Sequence, residues 1–196
     1  TSGTIFNYLE YCKMNPKINH YDHGIVGGLW LYDSLVKNYY LSFSRNKSAD
    51  FNDFYINDLH FSTSQFPIFA YLADCIISHN MWFATDDYTI EQYEKYGLKQ
   101  LTPPYAQPVQ FNRNPILFIL ALADTLEPIK TCSNLDISPL DVLNNIECEF
   151  NHKQITLAFK NNDMFNKMTD KINRSTNWLD INVHINNKNN EIVVIF

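Results

Sequence analysis

Residues 114–128 read NPILFILALADTLEP, and this stretch decides how the fold is read. Asn114 is a favoured N-cap residue, and Pro115 suits the first turn of a helix. Ile116, Leu117, Leu120 and Asp124 recur at helical spacing, so the apolar stripe runs into a carboxylate. A carboxylate buried without a partner costs several kcal/mol or takes up a proton. Asp in a last turn also opposes the helix dipole, which favours cations there. Asp124 therefore calls for a partner: a metal ion, a neighbouring helix that it caps, or an arginine such as Arg113.

Two other apolar runs carry the same kind of group. Residues 20–36 read HYDHGIVGGLWLYDSLV, with Ile25, Leu29, Tyr32 and Val36 at helical spacing and His23 near the start. Gly27-Gly28 lowers helix propensity there and predicts close backbone approach to a neighbour. Residues 66–82 read FPIFAYLADCIISHNMW, with Pro67 in a first turn. Ile68, Leu72, Cys75, Ile76 and His79 share a face, and Asn80 points about 100° away. A lone histidine on such a face is more often a hydrogen-bonded core residue than a ligand. Three polar groups on three elements that would pack together predict a shared partner. A divalent ion is the simplest, because His and Asp are ordinary ligands.

The rest of the chain reads around these helices. Residues 4–13 predict a short helix ended by Asn15-Pro16, and 42–64 read as a long loop without clear period. Residues 88–96 are a helical patch, and Ser138-Pro139 opens a short helix. From Ile146 the period changes to two: Ile146, Cys148 and Phe150 alternate, and after Asn151-His152-Lys153 so do Ile155, Leu157 and Phe159. Met164, Phe165, Met168 and Ile172 are helical. Ile181, Val183 and Ile185, then residues 191–196 (EIVVIF), make a second hairpin. The expected architecture is mainly α: a helical domain over 1–145, with 146–196 packed on it as a strand-strand-helix-strand-strand appendage. About fifty residues is marginal for an independent core.

The 196-residue chain is 45% hydrophobic, which suits a sizeable core, and carries a formal net charge of −6. Without a basic cluster, binding to a nucleic-acid duplex is disfavoured, while a small anionic substrate stays open through local cations or a metal. The four cysteines form no CxxC pair, which argues against a zinc ribbon and for a reduced, cytoplasmic setting. No apolar stretch reaches membrane-spanning length, and no signal peptide stands at the start. The start at Thr1 without Met leaves room for residues upstream, so an upstream domain or a homo-oligomer enters the expectations.

The order His, then a His-led doublet, then Asp, on three helices, resembles the HD superfamily of metal-dependent phosphohydrolases. DHGIVGGLWL (22–31) resembles the helix that bears the family's first histidine, matched by His23. LADCIISHN (72–80) resembles the helix of the His-Asp doublet, matched by His79 and Asn80, and ILFILALADTLEP (116–128) the helix of the last aspartate, matched by Asp124. The resemblance covers roughly residues 18–130 and implies an HD-like helical bundle. It departs at Asn80: an amide oxygen can coordinate a hard cation but brings no charge, where the family has an anionic ligand.

The resemblance implies hydrolysis of a phosphoester, with a nucleotide or related small phosphorylated molecule as substrate. One divalent ion (Mn, Fe, Ni, Zn or Mg) would be held by His23, His79 and Asp124, with Asn80 coordinating or orienting water. Such an ion acidifies water and polarises a phosphoryl oxygen. Lys37, Arg113 and Lys130 are candidate phosphate contacts and equally ordinary surface cations. His60 could add a ligand, though the bland reading is favoured. His184 is expected to face solvent, His152 to sit in a turn, and Asp74 on a solvated helix face. The alternative is a catalytically degenerate HD-like module that keeps the metal for regulation or interaction.

Overall fold

The structure is a computed structural model and describes residues 2–15, 23–46, 50–79, 87–98 and 108–196. Among these the chain is mainly helical, with eight α-helices and two small antiparallel sheets. It divides into two compact units, 1–105 and 106–196. The boundary expected at 145/146 falls inside the second unit.

The first unit contains α1 (Ser2–Met14), α2 (His23–Arg45), β1 (Asp53–Ile56), β2 (Leu59–Ser62), α3 (Phe66–Ser78) and α4 (Asp87–Lys95). Its most extensive packing is α2 against α3. Gly28 makes this possible: a Cβ there would lie 2.5 Å from Ile77 Cγ1 and 2.6 Å from the carbonyl oxygen of Ala73. The close approach expected of the double glycine thus rests on Gly28, since Gly27 is in ordinary contact range. Ile25, Ile77, Tyr8, Cys12 and Leu98 close one core cluster. Leu98 is delivered to it by Gly97, whose φ of 70° ends α4 in the left-handed region.

A second core forms around Tyr39, which is buried on α2. Its ring centre lies 4.8 Å from that of Phe66 and 5.4 Å from those of Phe51 and Phe54. Its hydroxyl donates to the carbonyl of Phe51. The expected loop over 42–64 instead carries the hairpin β1–β2. Asn57 and Asp58 turn it, both at positive φ, which matches the right-handed twist of paired strands. After it, Ser62 and Gln65 form a capping box that leads into α3.

The second unit contains α5 (Pro115–Leu126), α6 (Pro128–Thr131), α7 (Pro139–Asn144), β3 (Ile146–Asn151), β4 (Gln154–Phe159), α8 (Asn162–Ser175), β5 (Asn182–Asn186) and β6 (Glu191–Ile195). Asn114 caps α5 through Leu117 N–H, and Ser138 caps α7 through Asp141 N–H. The four strands pair antiparallel in the order β3-β4-β6-β5. Ile155, Leu157, Phe159, Ile192 and Val194 are buried on one side of the sheet. On α8, Met164, Phe165, Met168 and Ile172 are buried, and α5 and α6 pack on α8. The 146–196 segment therefore shares its unit with the helix of NPILFILALADTLEP.

The buried faces differ from those read off the apolar residues. On α5 the buried residues are Leu117, Phe118, Ala121, Leu122 and Thr125, while Ile116 is exposed and Asp124 half-buried. On α3 they are Ala73, Cys75 and Ile77, while Ile68 is exposed. On α2, Leu29 and Tyr32 are exposed. In helices that are apolar nearly all round, periodicity leaves the phase of the stripe open, and the partner sets it.

Candidate metal-binding histidines

His23 and His79 are brought together within the first unit. His23 is the first residue of α2, and His79 is the C-cap of α3, so the α2–α3 packing joins the two helix ends. Their ring centres are 5.3 Å apart, edge to face at 71°. Two metal–nitrogen bonds of about 2.0–2.1 Å at a tetrahedral angle place ring centres about 5 Å apart. The observed spacing fits two imidazoles on one ion.

The tautomer of His79 follows from its hydrogen bond. Nδ1 faces the carbonyl of Ile76, which can only accept. In the neutral ring Nδ1 therefore carries the proton, and Nε2 keeps its lone pair. A histidine oriented in this way by a backbone carbonyl is the usual form of a metal ligand. His79 also donates its backbone N–H to Cys75 O at 3.1 Å, which holds the residue at the end of the α3 ladder. His23 is exposed and His79 half-buried, so neither is the deeply buried core histidine that the apolar surroundings suggested. Asn80, the second member of the doublet, lies outside the described residues.

Asp124 lies in the last turn of α5, in the second unit, and is half-buried. The cation of this helix end is Lys171 of α8. Its Nζ donates to Asp124 O at 2.6 Å and to Thr131 Oγ1 at 3.1 Å. Burial pushes the Lys171 pKa down, opposed by the charges of Asp124 and Glu127. Placed where α5 leaves its carbonyls unpaired, Lys171 offsets the unfavourable position of an acid in a last turn. Lys171 has a sequence signal of its own: it follows Met168 by three residues and precedes Ile172 on the apolar stripe of α8.

The other candidates are ordinary in their surroundings. Lys37 is exposed and pairs with Asp33 at 2.6 Å, one turn earlier on α2. Arg113 is exposed in the turn before α5, and Lys130 is exposed on α6. His60 is on β2, its Nε2 3.0 Å from Asp53 Oδ1 and its ring stacked on Tyr55. His152 is in the β3–β4 turn and His184 faces outward on β5, both exposed. Asp74 is half-buried on α3.

No protein-family model matches the chain, and neither do the curated proteins or solved structures with which it was compared. Among the described residues, no helix is long and apolar enough to cross a membrane.

Proposed function

We propose that the chain is a metal-dependent phosphohydrolase of the HD type, acting on a phosphoester such as a nucleotide or related small molecule. One divalent ion is held by His23, His79 and Asp124, and Asn80 coordinates or orients water beside it. The observation that carries this reading is the His23–His79 pair, with the Nδ1 proton of His79 fixed by Ile76 and Nε2 left as a donor. Asp124 enters the ligand set on its residue type and its place in the sequence pattern, and it belongs to a different compact unit. The ion supplies Lewis acidity for water and for the phosphoryl oxygen. The protein's part is to hold two imidazoles side by side at helix ends. Lys37, Arg113 and Lys130 are the proposed phosphate contacts, with Lys37 the least available because of Asp33.

Asn80 favours a second reading, a metal-binding regulatory or interaction module without turnover, because it removes the charge that the family's doublet supplies. Elemental analysis of the purified protein, with a thermal shift on adding each divalent ion, tests the metal. About one ion per chain, lost in His79→Ala, is expected. No bound ion and no shift sinks both readings. Hydrolysis across a panel of phosphoesters then separates them: turnover that disappears with chelator supports the enzyme, and metal without turnover supports the module.

A further inference from the structure

The second unit holds a cavity of about 460 Å³ between α5, α7 and the sheet. Its position follows from the sheet order. α8 packs on β4 and β5, so β3 at the sheet edge has no such cover. On β4 alternate residues are buried, while β3 is exposed from Glu147 to Asn151. Leu126, Leu143, Cys148, Phe150 and Leu157 line the space, with Ala123 on the α5 side. Cys148 lies opposite Leu157 in the β3–β4 register.

The space opens to solvent at β3, where Cys148 and Phe150 are exposed, and water in it meets few polar partners. The one ionisable carboxylate in its wall is Glu127, and both oxygens are engaged: Oε1 accepts from Ile129 N–H at 2.7 Å and Oε2 from Lys130 N–H at 2.9 Å. The volume lies in the range of small-molecule sites, roughly 300–1,000 Å³. From the volume, the apolar lining and the engagement of its one carboxylate, we infer that this cavity is a binding site for the hydrocarbon chain of a small single-chain amphiphile. The polar head stays in water at the mouth, where Leu143 and Phe150 are exposed. The site lies within one unit and is independent of the histidine pair.

Cys148 provides the test on the native protein. It is exposed, whereas Cys12, Cys75 and Cys132 are buried, and burial of its thiol pushes the pKa up, as expected of a sulfur facing the cavity. Alkyl methanethiosulfonate at mildly alkaline pH converts the thiolate to a mixed disulfide and releases methanesulfinate. The wild type should bind a neutral apolar dye, N-phenyl-1-naphthylamine, at one site. Linear alkanols should displace it, each methylene tightening binding about fourfold until the cavity is full. An octyl group on Cys148 should weaken dye binding at least tenfold and raise the melting temperature, while a methyl group on the same thiol leaves both near wild type. Ala123→Trp, which fills the space from the exposed side of α5, should also weaken dye binding at least tenfold. Dye binding that survives octylation, or displacement without chain-length dependence, overturns the inference. So does a dye site that appears only on dilution as a dimer dissociates, which would make a second copy the occupant.

Discussion

Gly28→Ala and Gly27→Ala should move stability in opposite directions, although the two residues are adjacent on the same helix. Each change gains about 0.8–1.0 kcal/mol of helix propensity. At Gly27 the new methyl would lie 3.6 Å from Ile76 Cγ2, an ordinary contact, so most of that gain should survive. At Gly28 it would lie 2.6 Å from a backbone oxygen, Ala73 O, and 2.5 Å from Ile77 Cγ1. Ile77 can adjust its rotamer, but the carbonyl moves only with α3. Relaxing 2.6 Å to about 3.4 Å requires the helices to part by about 0.8 Å. Overpacking of this kind costs about 1–3 kcal/mol. Gly28→Ala should therefore be destabilised by up to about 2 kcal/mol, and Gly27→Ala stabilised by about 0.5–1 kcal/mol. Urea unfolding followed by circular dichroism gives both midpoints. The same separation should weaken any metal held by His23 and His79, since α2 and α3 carry one each. A Gly28→Ala protein as stable as Gly27→Ala would refute the close α2–α3 approach and the geometry of the pair with it.

Further outcomes test the remaining elements. His79→Ala should abolish metal binding in an equilibrium titration yet change apo stability by no more than about 1 kcal/mol, because it removes one half-buried hydrogen bond. Lys171→Met keeps the buried stem but loses the bonds to Asp124 O and Thr131 Oγ1, and thermal or urea unfolding should show a loss of about 1–3 kcal/mol. Asn80→Asp adds a charge where the ion is proposed to sit, so metal affinity should rise about tenfold or more, and unchanged affinity would place Asn80 away from it. Residues 106–196 expressed alone should give a cooperative unfolding transition, whereas deletion of 146–196 should cause aggregation by uncovering the buried face of α5.

Local signals carried much of this fold. Period-two patterning in the tail marked all four strands of the larger sheet, and Met164, Met168 and Ile172 marked α8. The Asn114 and Ser138 caps marked two helix starts. The β1–β2 hairpin stands where the pattern reads as a loop, though the pair Asn57-Asp58 between DFYI and LHFS is a short-range hairpin signal. The region's aromatic richness concealed its alternation. Asp33 beside Lys37 was legible at i,i+4 spacing, and the stripe position of Lys171 was legible in the same way.

The sequence by itself determined element type, because caps, turns and hydrophobic period act over a few residues. It also singled out His23, His79 and Asp124 by their residue type in apolar surroundings. Only the tertiary structure decided which side of each apolar helix is buried, and so made Asp124 half-buried and His23 exposed rather than core residues. It alone gave the β3-β4-β6-β5 order, which leaves β3 at an edge beside the cavity. It also set the 5.3 Å spacing of the two histidine rings. The physical reason is common to all three. Burial, strand order and ring-to-ring distance arise between residues far apart in the chain, where no local preference reaches and packing selects one arrangement among many with the same pattern.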